Sequence, residues 1–255
     1  MGIKGDYGQI LSGMPIKVEG GNFAVSQPAV RDICAFGEDN FLACVVFFTK
    51  SDLMARKIRE MGGNTLMIAS DFQIVLSVID DDPSTKQMVT DFFDFIFPNY
   101  IWKFETGCVQ FKTEEDGPNV GQLNPMNFEN FKQTLKDLFL PHTKGDEEED
   151  YNPINDRAKE IAEKLKKGNE IRNSMRAKSG NSTKLSVFGT YISSLSVGLP
   201  MDISVLYGYT AFQLYDSFLR YMNKASYDLY QRVTTMPMMD TSKIKEPEHW
   251  TSDIY

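Results

Sequence analysis

Apolar residues in this chain fall at helical spacing far more often than they alternate. FENFKQTLKDLF (128–139) places them at 128, 131, 135, 138 and 139, the three- and four-residue rhythm of a helix with one buried face. Near the C-terminus Phe212, Tyr215, Phe218, Leu219 and Met222 repeat that rhythm. LSVFGTYISSLSVGLP sets Val187, Tyr191 and Leu195 four residues apart, with Gly198 and Pro200 as stops. Strand-like alternation is confined to two places. PIKVE (15–19) and NFAVS (22–26) flank Gly20-Gly21, which reads as a hairpin with a two-residue turn. YIWKFE and CVQFK flank Thr106-Gly107 and read as a second hairpin.

Between these landmarks the chain reads as helices with stop signals. AVRDICAFG is a short helix ended by Gly37, with Pro28 at its first position. FLACVVFF (41–48) fits a buried helix or a buried strand, and its modest β-branched content favours the helix. Ser51 is the expected cap of DLMARKIREM, which Gly62-Gly63 ends, and DFQIVLSVI (71–79) is a further helix. Ser84 or Thr85 starts the next, which Pro98 stops. Residues 117–127 read as a loop rich in Gly, Pro and Asn. Asp202 and Thr210 are expected caps for ISVLYG and for the long aromatic helix after it.

The expected fold class is α+β, predominantly helical. Residues 1–140 form a mixed domain with two small β-hairpins, 141–184 an acidic linker and charged helix, and 185–255 a C-terminal helical unit with an aromatic helix and tail. The boundary rests on PHTKGDEEEDYNP (141–153), which has almost no apolar content. Nine basic against four acidic residues give 155–184 a charge of +5, so the remainder of a chain at −8 carries −13. That balance argues against whole-molecule affinity for nucleic acid or anionic membrane. The basic stretch has no aromatic residue to stack on bases.

Little in the chain points to chemistry. The two histidines, His142 and His249, fall in the presumed linker and tail. The acidic runs DDD (80–82) and DEEED (146–150) lack calcium-loop spacing, and the glycine pairs form no phosphate-binding loop. Three cysteines, Cys34, Cys44 and Cys108, lie in apolar surroundings and suit buried free thiols. MGIKGDYGQI lacks the apolar region of a secretory signal, and no stretch is long enough to span a bilayer. We therefore expect a binding or assembly protein without catalytic residues, cofactor or metal. Tyrosine suits a surface that is apolar at one end and wet at the other. The candidate partner-binding residues are Tyr207, Tyr215, Phe218, Tyr221, Tyr227 and Tyr230. The competing reading places such a stripe in a core. Met236, Met238 and Met239 suit an adaptable surface or an apolar anchor.

The order of segments carries a resemblance. AKEIAEKLKKG leads through a loop to LSVFGTYISSLSVGLPMDISVLYGYTAFQLYDSFLRYMNKASYDLYQRV and a terminal EPEHW, and IKVEGGNFAVSQPAVRDICAFGEDNFL stands near the start. Together they resemble the tail assembly chaperones of phages of Gram-positive bacteria, over about half the chain. Two departures stand out: TTMPMMDTSK replaces a small Ala- and Gly-rich segment, and the middle from DDDPS through the second hairpin lies outside the likeness. The resemblance implies a non-enzymatic chaperone that shields a hydrophobic helical client such as the tape-measure protein, working in the host cytoplasm. It supplies no catalytic residues. A structural virion component, in the tail, connector or baseplate, is the alternative. Protein partners and homo-oligomers suit either role; a membrane suits neither.

Overall fold

The computed structural model of the protein describes residues 6–62, 69–140, 186–236, 246–247 and 249–251. The expected acidic linker and charged helix, and Met238 and Met239 of the tail, lie outside the described residues. The rest is α+β and mostly helical, with two small antiparallel sheets.

Helix α1 (Tyr7–Leu11) leads into strands β1 (Ile16–Lys17) and β2 (Ala24–Val25). These pair as expected, but the turn is wider than two residues. Val18 N–H still bonds to Phe23 O at 2.9 Å, leaving residues 19–22 as the turn, with positive φ at Gly20 and Asn22. The width has a packing cause. Phe23 must turn inward to stack on Phe111 at 4.3 Å between ring centroids. Gly21 O is then free to accept from Gln122 N–H at 3.0 Å. A side chain at Gly121 would strike Gly21 O at 2.4 Å, so only glycine permits this approach. Asn127, 2 % exposed, fixes the junction by donating to Gly20 O and Gln122 O.

Gln122 belongs to a strand where the sequence predicts a loop. Strands β3 (Ile101–Glu105), β4 (Cys108–Lys112) and β5 (Asn119–Leu123) form a meander in the order β3-β4-β5. Glu105 faces Cys108 across the expected Thr106-Gly107 turn, where Gly107 takes φ 79°.

Helices α2 (Val30–Phe36), α3 (Glu38–Thr49), α4 (Ser51–Gly62), α5 (Asp71–Asp81), α6 (Pro83–Ile96) and α7 (Phe128–Phe139) supply the main core. Rings interlock where α3, α6 and α7 meet the sheet. Phe48 stacks on Phe93 at 5.4 Å, Phe41 meets Phe139 edge-on at 5.0 Å, and Phe97 meets Phe111 at 4.8 Å. Each fully buried ring contributes about 1.5–3 kcal/mol of transfer free energy, so this cluster dominates the stability of the fold.

Three local expectations need correction. Pro28 precedes the helix, which starts at Val30 after an extended Ala29. The Ser51 hydroxyl is buried without a partner among the described residues and does not cap the helix. Helix α6 starts at Pro83, with Asp82 accepting from Ser84 N–H and Thr85 N–H.

After the stretch not described come α8 (Val187–Gly198), α9 (Ile203–Tyr207) and α10 (Ala211–Thr234). They pack on the earlier elements. Phe188, Ile192, Leu195, Leu206, Phe212 and Tyr215 join the same buried cluster as the N-terminal helices. The approach is pinned by polar contacts. Val30 N–H bonds to Tyr209 O at 2.8 Å, and Gln213 Nε2 donates to Leu11 O at 2.7 Å.

Candidate partner-binding surface

Helix α10 carries most of the rings singled out in the sequence, and the structure divides it into two unlike halves. Its start is strongly specified. Thr210 and Gln213 form a reciprocal capping box, each bonding the other's backbone N–H. Ala211, Phe212, Leu214, Tyr215 and Asp216 are buried, and beyond Asp216 no described residue of the helix is.

Helix α8 explains the change. Phe188 stacks on Tyr215 at 5.9 Å, and Tyr191 meets Phe218 edge-on at 4.7 Å. Further along, Tyr221 lies on Gly198, where a Cβ would stand 2.1 Å from its ring. The contacts advance in the same sense along both helices, and α8 ends at Gly198. Helix α10 continues from Met222 to Thr234, about 20 Å at 1.5 Å per residue. This far half bears Met222 (45 % exposed) and Leu229 (63 % exposed), with Tyr227 and Tyr230 half-buried. Beside the end of α8, Val197 is 87 % exposed.

The six candidate residues therefore separate. Tyr215 is 2 % exposed and belongs to the core, so it leaves the candidate surface. Burial pushes its hydroxyl pKa up, and that hydroxyl has no hydrogen-bond partner among the described residues. Phe218 and Tyr221 join α10 to α8 and show one edge to solvent. Tyr207, at the end of α9, packs partly against the core. Tyr227 and Tyr230 lie on the far half itself.

A polar latch fixes where the two halves meet. Buried Asp216 accepts from the Tyr7 hydroxyl at 2.9 Å and from Arg220 Nε at 3.1 Å. Arg220 Nη2 also donates to the Tyr7 hydroxyl at 2.9 Å, and the guanidinium lies over the Tyr7 ring. Desolvation works against the Arg220 charge, but the Tyr7 hydrogen bond and the Asp216 charge outweigh it and hold its pKa above the usual value. Sequence reasoning missed this group because its members lie about two hundred residues apart. Arg220 reaches the chain end as well. Nη1 donates to Trp250 O at 3.2 Å, while the His249 ring meets Tyr227 edge-on at 4.8 Å.

The residues screened for chemistry take other parts. Asp82 caps α6 and Asp80 pairs with Lys86 at 2.9 Å, so the DDD run serves a helix junction. Among the described residues no group of His, Cys, Asp or Glu is placed to hold a metal ion. Cys44 is buried and its thiol pKa is pushed up to about 12 by desolvation, whereas Cys34 is exposed, contrary to expectation. His142 lies outside the described residues. A cavity of about 260 Å³ opens between α1, β1 and α7, with Asp6, Lys17, Glu19 and Asp137 on its walls. No helix among the described residues is long and apolar enough to cross a membrane.

Residues 180–255 match the family model described as the YomV second domain, a family derived from Bacillus phage. No curated protein and no solved structure matches the chain. The matched region contains α8, α9 and α10 together with the tail segment seated on Arg220, so the part of the chain similar to a phage-derived family is the part that carries the candidate surface.

Proposed function

We propose that the protein is a non-enzymatic phage tail assembly chaperone that binds a hydrophobic helical client such as the tape-measure protein. One observation carries the reading: α10 runs past the end of α8 and holds out a helix face bearing Met222, Leu229 and Tyr230. A client helix laid along it would bury its own apolar stripe against these side chains, helix against helix. The surface bears the rings and methionine typical of interface cores, and the net charge of −8 keeps such a protein soluble. The match to a phage-derived family and the resemblance of segment order to tail assembly chaperones support the phage setting.

The test is co-expression with a phage tape-measure protein. Leu229→Gln with Tyr230→Gln should weaken co-purification about tenfold or more and leave the far-UV CD spectrum unchanged. Undiminished co-purification would remove α10 as the docking face.

The alternative, a structural virion component, has the same surface facing a neighbouring subunit in the finished particle. Mass spectrometry of purified virions separates the two. A chaperone is absent from mature particles, and a tail, connector or baseplate subunit is present at fixed stoichiometry.

A further inference from the structure

The stripe by which α10 joins the core runs on past its cover. Tyr215, Phe218, Met222, Ala225, Leu229 and Arg232 are spaced alternately by three and four residues, the heptad phase of a helix that packs along another helix. Tyr215 and Phe218 meet Phe188 and Tyr191 of α8. The four residues that follow are all exposed. Trp250 and His249 leave them open, since Arg220 and Tyr227, which those two residues meet, stand on roughly the opposite side of the helix. The open stripe ends on a charge. Arg232 lies in the last turn and, among the described residues, pairs with no carboxylate, while Asp228 one turn before it is held by Lys224 at 2.6 Å. A second copy of the chain suits this stripe badly. Laid parallel and in register, it would set Arg232 against Arg232 and leave a gap between two Ala225 side chains. Laid antiparallel with Met222 opposite Leu229, it would carry Arg232 alongside Phe218, where Tyr191 already packs.

We infer that the occupant of this stripe is a helix of a different protein, with its apolar residues in heptad phase and a carboxylate placed to meet Arg232. The inference rests on the docking reading above and adds the pattern that the client must carry. Heptad phase lets the client continue along Met222, Ala225 and Leu229 the contact that Tyr215 and Phe218 make inside the molecule. The carboxylate selects among clients, because a lysine brought to the same place would be repelled.

The test uses the full-length chain and three synthetic helical peptides. Two carry leucine in heptad phase, flanked by glutamate in one and by lysine in the other. The third has the composition of the glutamate peptide with its leucines out of phase. A net charge of −8 favours the lysine peptide on any version of the chain. The readout is therefore the ratio of glutamate-peptide to lysine-peptide affinity, compared between wild type and Arg232→Glu. That ratio should fall about tenfold in the variant, and the out-of-phase peptide should bind neither chain. Arg232→Gln, which removes the charge without reversing it, should give an intermediate ratio and serves if glutamate frays the last turn. A ratio unchanged by both substitutions, or equal binding of the out-of-phase peptide, overturns the inference and leaves the docking face standing. A free chain that sediments as a dimer split by Leu229→Gln overturns it too, because the stripe then belongs to a second copy. If no peptide binds while the tape-measure protein still co-purifies through Leu229 and Tyr230, this inference falls alone. If neither binds, the docking reading falls with it.

Discussion

Two tyrosines of α10 show how burial decides a residue's part. Tyr215 sits inside with a hydroxyl that has no partner among the described residues. An unpaired buried polar group costs about 1–3 kcal/mol, so Tyr215→Phe should stabilise the fold, by about 1 kcal/mol after the ring resettles. A denaturant midpoint that falls would show an unseen partner for the hydroxyl. The same burial sets a pH dependence. Unfolded tyrosine titrates near 10, and the folded pKa of Tyr215 lies above that. Its contribution is therefore complete below about pH 10 and is lost as pH rises through the folded value. Tyr215→Phe should flatten that alkaline loss, read from midpoints measured across the range. Tyr221 instead shares its space with Gly198. Gly198→Ala should destabilise the wild-type chain by about 1 kcal/mol, because crowding the ring outweighs the gain in helix propensity. In a Tyr221→Ala background the same change should become neutral or stabilising. Equal effects in both backgrounds would contradict the close approach.

Elements here are defined partly by local signals and partly by distant ones, and only the first kind is legible in the sequence. The Thr210–Gln213 box and the Asp202 cap can be read from a few adjacent residues, and both are present. Strand β5 cannot. NVGQL reads as loop because its defining feature, a glycine that admits Gly21 O, depends on a turn about one hundred residues away. Helix α8 is similar. Its N-terminus is held by Glu38 of α3, which accepts from the Ser186 hydroxyl and from the backbone N–H groups of Val187 and Phe188. A carboxylate there satisfies orphan donors and opposes the positive end of the helix dipole. Glu38→Ala should cost about 0.5–2 kcal/mol and speed amide exchange across Val187–Gly198 before other helices respond. Uniform acceleration throughout the molecule would mean that Glu38 supports the whole core. The aromatic stripe of α10 was visible in the sequence, but its division was not. Which rings are covered depends on α8 ending at Gly198 and on where Tyr7 and Asp216 anchor the helix.

At the scale of the molecule, among the described residues a phenylalanine-rich core is joined to a helix that runs on past the element packed against it. Core rings from α3, α6, α7 and the three-stranded sheet continue without a break into Phe188, Phe212 and Tyr215. The base of α10 is thus as firmly held as the core itself. Its far half, with Leu229 63 % exposed, is touched by Trp250 at Arg220 and by the His249 ring at Tyr227 and otherwise rests on its own helical hydrogen bonds. Rigid at the root and partly exposed beyond it, such a helix can present an apolar face at small ordering cost. Hydrogen-exchange footprinting of the full chain, with and without the tape-measure protein, tests this most directly. The account predicts new protection concentrated in residues 221–234, with the already slow amides around Tyr215 unchanged. A bound client that protects some other surface and leaves 221–234 exchanging as in the free chain would contradict it.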